Sequence, residues 1–157
     1  MKKNILVLLL SIFMVGCEDD SNDDDTDSNT TFTVYIETFD KFNQEVQIFS
    51  QGEDIAIKLS LENKSSNEIT ITFSTSQQYN FQVKDINGGI VWNWATGKDF
   101  DPAVSTLTIP AGKTHSEIIS WNQVINVDGD LLEIGDYSLE GYYLTTGIVA
   151  NIDLDIR

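Results

Sequence analysis

From Phe32 onward the chain alternates apolar and polar residues in short runs separated by turn formers. Phe32, Val34 and Ile36 alternate with polar neighbours, and Val46 and Ile48 repeat the pattern before Ser50-Gln51-Gly52-Glu53. Ile55, Ile57, Leu59 and Leu61 give the cleanest period of two, which sets one face of a strand against a core. Asn63–Asn67 reads as a turn, after which Ile69, Ile71 and Phe73 resume. Tyr79, Phe81 and Val83 run to Asn87-Gly88-Gly89, residues that tolerate φ > 0 as a two-residue hairpin turn requires. Ile90, Trp92 and Trp94 are expected to return with one face in the core. Residues 95–105, ATGKDFDPAVS, read as a loop longer than a hairpin needs. Leu107 and Ile109 lead into the turn Pro110-Ala111-Gly112-Lys113, and strands are predicted near Thr114–Trp121, Tyr137–Leu144 and Ile148–Ile156. No stretch sustains a helical period. Strands at roughly ten-residue spacing predict an all-β antiparallel sandwich.

The first residues break this pattern. Lys2 and Lys3 precede an apolar run, Ile5–Met14, and Val15-Gly16 stands before Cys17. The run is too short to span a bilayer comfortably, so residues 1–16 are predicted to be a removed signal peptide. A small residue before cysteine resembles a lipobox, which makes Cys17 the expected lipid-attachment site. Cys17 is the chain's one cysteine, so no intramolecular disulfide is available and the domain must be held by its core. Glu18–Asp27 is acidic, rich in Ser and Asn, and has no large apolar residue. Such a tract cannot bury enough surface to offset its ordering entropy. Residues 17–31 are therefore expected to be a disordered tether, and its position after Cys17 also resembles a surface-export signal. The folded domain is assigned to residues 32–157. These features place the protein in the bacterial cell envelope, lipid-anchored on the periplasmic face or the cell surface.

The net charge is −16, and loss of Lys2 and Lys3 with the leader makes it −18. That surface argues against nucleic acid and favours basic partners. Little else in the chain carries chemistry. Asn126-Val127-Asp128-Gly129-Asp130 has calcium-like residue types, but Tyr137 stands where an EF-hand loop needs its last glutamate. No metal or cofactor is expected. His115 is the one histidine, and no serine lies in a nucleophile-elbow context. The chain is expected not to be an enzyme. Trp92 and Trp94 have two readings: buried packing with Ile90 on the same face, or an exposed aromatic ledge for a sugar.

Several segments together resemble the BsuPI family of intracellular proteinase inhibitors. They are the run from Tyr79 and Phe81 through Asp85 and Asn87-Gly88-Gly89 to Val91-Trp92 and Trp94, the Gly52-Glu53 turn, and the Leu61-Glu62-Asn63 strand end. Pro110-Ala111-Gly112 and Gly135-Asp136-Tyr137 complete the set, which covers roughly Ile48 to Leu144. This chain departs from the family at Asn80, where the family often has Asp, and in the long segment Asn122–Ile134. The resemblance implies an immunoglobulin-like sandwich and a non-catalytic, protein-binding role, with a proteinase as the specific partner. It fixes no reactive loop. Ala95–Ser105 is the candidate contact loop by its length and by Lys98, Phe100 and Pro102, since an inhibitor presents a preorganised segment. The competing class is an envelope structural or adhesive module without inhibitory activity.

Overall fold

The structure is a computed structural model and describes residues 31–126 and 128–157. The predicted signal peptide, Cys17 and all but the last residue of the tether lie outside the described residues.

The alternating runs form ten strands. They are β1 (Phe32–Phe39), β2 (Ile48–Phe49), β3 (Ile55–Asn63), β4 (Ile69–Phe73), β5 (Tyr79–Lys84), β6 (Ile90–Asn93), β7 (Ser105–Ile109), β8 (Thr114–Trp121), β9 (Gly135–Tyr143) and β10 (Val149–Ile156). No helix occurs among the described residues. One sheet has the order β1-β3-β8 and the other β2-β10-β9-β5-β6, while β4 and β7 form a separate two-stranded ribbon. All pairs are antiparallel except the short β2–β10 pair, which is parallel. The fold is an immunoglobulin-like β-sandwich.

The period of two becomes a core in the central strands. Ile55, Ile57, Leu59 and Leu61 on β3 are fully buried and meet Phe81, Val83, Leu139, Leu154 and Ile156 from the facing sheet. The two layers pack tightly at Gly141. A Cβ there would lie 2.9 Å from both Ile36 Cδ1 and Leu59 Cδ1, so the position has no room for a side chain. Tyr137 gives the fold a further immunoglobulin feature. It stands near the start of β9, and its hydroxyl donates to the Glu133 carbonyl, 3.0 Å away and four residues upstream. This is the geometry of a tyrosine corner. Leu139, two residues on and fully buried, stands where antibody domains carry their second cysteine. Apolar packing replaces the disulfide there.

Two buried amides lock the loops to the sandwich. Asn63 Nδ2 donates to the carbonyls of Asn67, Ile109 and Pro110, joining two turns at the end of β3. Gln123 is fully buried with φ at 63°. Its Nε2 donates to the Ser50 and Glu53 carbonyls, and its Oε1 accepts from Gly52 N–H. The long Asn122–Ile134 segment is thus tied to the Ser50–Glu53 turn.

Three local expectations are corrected. The β5–β6 connection is a five-residue loop, Asp85–Gly89, between the paired Lys84 and Ile90. Asp85 Oδ1 accepts from the N–H groups of Asn87 and Gly89, and Gly88 alone takes a positive φ, 82°. Ile90 does not share the core face with Trp92. The register shifts between Val83 and Lys84, so Val91 is extra and Ile90 turns outward, 50% exposed. In β2 the buried residue is Phe49, whereas Ile48 faces solvent.

Candidate functional site

Along the side of the sandwich where β8 and β6 approach, the inward face of β8 carries His115, Glu117, Ile119 and Trp121. Trp121 stacks on Trp92 with ring centroids 4.8 Å apart, and both are buried. The Trp121 Nε1–H donates to the Val124 carbonyl at 3.0 Å, which satisfies the one polar atom of the ring. Trp94 stands two residues from Trp92 but is only half-buried. Its ring lies 4.7 Å from Tyr79 and 5.9 Å from Phe100. Lys98 Nζ sits 4.6 Å above it, a cation–π contact. Trp92, Trp94, Lys98, Trp121, Asn126 and Asp54 contribute to a surface cleft of about 460 Å³.

The Ala95–Ser105 loop is built on this aromatic platform. Asn93 starts it: its side-chain oxygen accepts from Ala95 N–H and its carbonyl from Thr96 N–H. Further along, Ser76 N–H donates to the Asp101 carbonyl and Asp101 N–H donates to Ser76 Oγ, both at 2.8 Å. Asp101 Oδ1 then accepts from Ala103 N–H, and Ser105 Oγ donates to the Thr75 carbonyl. The loop is held at both ends, and Pro102, Ala103 and Val104 project between the clamps. Of the predicted contact residues, Lys98 and Phe100 come together on Trp94, while Pro102 stands apart and exposed. Val104, 69% exposed, was not read from the sequence as part of the contact. The Asp101 clamp was legible in the Asp-x-x spacing of an Asx turn, but its Ser76 partner was not.

A second polar group lies between the sheets at the other end of β8. His115 Nε2 and Glu117 Oε1 are 2.9 Å apart, and the His115 ring lies 6.4 Å from Tyr143. Burial, with Glu117 nearby, holds the Tyr143 hydroxyl well above the ordinary tyrosine range. Tyr79 is raised for the same two reasons. The Tyr143 hydroxyl is buried without a hydrogen-bond partner. His115 is an edge-strand histidine paired with a carboxylate. Asp128, Gly129 and Asp130 form an exposed turn, and no group of three or more His, Cys, Asp or Glu is placed to hold a metal among the described residues.

The family profile described as intracellular proteinase inhibitor, BsuPI, matches residues 42–148, more than half of the chain. The chain belongs to this family. The match takes in all three tryptophans, the Ala95–Ser105 loop and the tyrosine corner. No match is found among curated proteins. Among solved structures, the chain is similar to the CARDB domain of a Pyrococcus furiosus protein solved with di-metal ions, at 13% identity and a TM-score of 0.43, covering 80% of this chain and 87% of that one. It is also similar to a β-glucosidase from Erythrobacter marinus, at 9% identity and a TM-score of 0.47, covering 80% of this chain and 15% of that one. A third likeness is to the alkylpurine DNA glycosylase AlkC of Pseudomonas fluorescens, at 10% identity and a TM-score of 0.45, covering 79% and 30%. In the two enzymes the likeness spans only a small part of the chain.

Proposed function

We propose that this protein is a lipid-anchored, non-catalytic domain of the bacterial cell envelope that captures a serine proteinase. Membership of the proteinase-inhibitor family over residues 42–148 carries the reading. The Ala95–Ser105 loop supports it, because a segment clamped at both ends loses little entropy on binding. Lys98, Pro102 and Val104 are the side chains this loop offers a partner, while Phe100 supports it from beneath. Capture is reversible and stoichiometric, since the loop carries no cysteine and its Ser105 hydroxyl is committed to the Thr75 carbonyl. The basic start, apolar run and Gly16-Cys17 junction support the anchor at Cys17.

Titration of the chain against subtilisin-like, trypsin-like and native envelope proteinases tests the reading. Saturable inhibition at one-to-one stoichiometry is expected. Absence of inhibition at micromolar protein across that panel would leave an envelope structural or adhesive module. The anchor has its own test. Cys17→Ala is expected to abolish lipid labelling and membrane retention, and unchanged labelled retention would remove the anchor from the proposal.

A further inference from the structure

The Asp85–Gly89 loop has a twin. Asp40–Gln44 closes the chain between Phe39 and Glu45, which form an isolated antiparallel bridge. In each loop the aspartate Oδ1 accepts from the N–H groups two and four residues on: Phe42 and Gln44 in one, Asn87 and Gly89 in the other, all at 2.8 Å. In each, the aspartate N–H donates to the fifth residue's carbonyl, and the aspartate carbonyl accepts from the fourth residue's N–H. That fourth residue takes a positive φ in both, 60° at Asn43 and 82° at Gly88. Registers place both loops at one end of the sandwich. Phe39 pairs with Ala56, next to the Ile55–Trp121 pair; Trp121 stacks on Trp92, and Trp92 pairs with Val83, just before the Asp85 loop.

Each rigid loop presents one large apolar side chain, with Phe42 70% exposed and Ile86 82% exposed. Their surroundings differ. Ile86 borders a hollow with Asp85, Asp136, Asp153 and the Lys84–Glu140 ion pair. Lys41, beside Phe42, borders a hollow of about 410 Å³ with Ser50–Asp54. Asp54 also lines the cleft that holds Lys98 and the tryptophans. Asp54 thus borders both hollows, on the side of the sandwich where Lys98 lies, while the Ser76–Asp101 clamp before β5 stands at the opposite end from Phe42. An aromatic side chain held out on a fixed backbone is the form of an interface anchor, because little entropy remains to be lost when it enters a pocket.

We infer that Phe42, on the Asp40 loop, is an apolar anchor that enters the specificity pocket of a proteinase that accepts large apolar side chains. The inference rests on the proteinase-capture reading above. Chymotrypsin-type pockets are hydrophobic slots, whereas trypsin-type pockets carry an acid for a basic side chain. Phe42 and Lys98 therefore predict different targets.

The test titrates the full chain, purified in detergent, against chymotrypsin, subtilisin and trypsin. Inhibition of chymotrypsin or subtilisin is expected, with Phe42→Ala weakening it about tenfold or more, as a central anchor does. Ile86→Ala, the matched change in the twin loop, should leave inhibition unaltered. Asp40→Ala keeps Phe42 but frees the loop, and is expected to fall between the two. Melting curves that match the unsubstituted chain show that Phe42→Ala still folds. Inhibition that survives Phe42→Ala, or that is confined to trypsin and lost in Lys98→Ala, overturns the Phe42 anchor and leaves proteinase capture standing. No inhibition of any of the three, nor of an envelope proteinase, overturns both.

Discussion

Trp92 and Trp94 stand two residues apart on one strand and its extension, and their fates differ. Trp92 faces β8 and is covered by Trp121, so its ring belongs to the space between the sheets. Trp94 lies past the last paired residue of β6, where Tyr79 and Phe100 cover it only in part and Lys98 lies over one face. A period of two says which way a side chain points. It does not say whether anything stands opposite. The difference separates a tryptophan that holds the domain together from one that holds a loop in place.

The strongest way to break this comparison is to remove each ring. Trp92→Ala is expected to lower unfolding free energy in urea by about 3–5 kcal/mol, the cost of deleting a core aromatic. A loss below about 1 kcal/mol would return Trp92 to the exposed-ledge reading, since that is well under what a buried ring costs. Trp94→Ala is expected to cost less, about 1–2 kcal/mol, from lost aromatic contacts and partial burial. Its clearer effect is local: limited proteolysis should cut within Ala95–Ser105 while the sandwich survives. Equal global losses for the two substitutions would erase the distinction.

Tyr143 sharpens the same point from the polar side. Its hydroxyl is buried with no partner, so Tyr143→Phe removes a desolvation penalty and is expected to stabilise the fold by about 1 kcal/mol near neutral pH. The sign with pH follows from the raised hydroxyl. The folded state keeps this proton where the unfolded state releases it, so stability is constant below the ordinary tyrosine range and falls as pH rises through and above pH ~10. Tyr143→Phe should reduce that alkaline decline, with Tyr79 and Tyr137 contributing to what remains. An unchanged slope in urea unfolding between neutral and alkaline pH would remove Tyr143 as its source. The smallest effect is expected at Lys98. Lys98→Ala loses one exposed cation–π contact and should change stability by about 0.5 kcal/mol. A much larger change would mean that the ammonium is structural, so that its effect on a partner could not be read directly.

Much of the architecture was legible. The strand order from Phe32 to Ile156 follows the alternation closely, and β8 has the predicted boundaries, Thr114–Trp121. The failures share a cause. Asn87-Gly88-Gly89 promised a two-residue turn, but the Asp85 carboxylate captures two N–H groups and makes five residues the stable loop. Ile90 was assigned to the core by counting in twos from Trp92, and one extra residue at Val91 reverses that count. The Asp40 loop shares its chemistry with the Asp85 loop, although Lys-Phe-Asn does not resemble Asn-Gly-Gly. What the two have in common is an aspartate three residues before a position that tolerates positive φ.

The sequence alone determined where the main strands run, which face of β3 is buried, and that no disulfide supports the core. These are properties of short stretches, set by the period of the backbone and by residue type. Tertiary structure decided the rest: that Trp121 covers Trp92, that Gln123 ties a distant segment to the Ser50–Glu53 turn, and that Asp54 borders both the Lys98 cleft and the hollow beside Lys41. Each of these depends on residues far apart in the chain meeting across two sheets. Local patterning carries no information about which partner a side chain meets, because that partner is chosen by strand order and register.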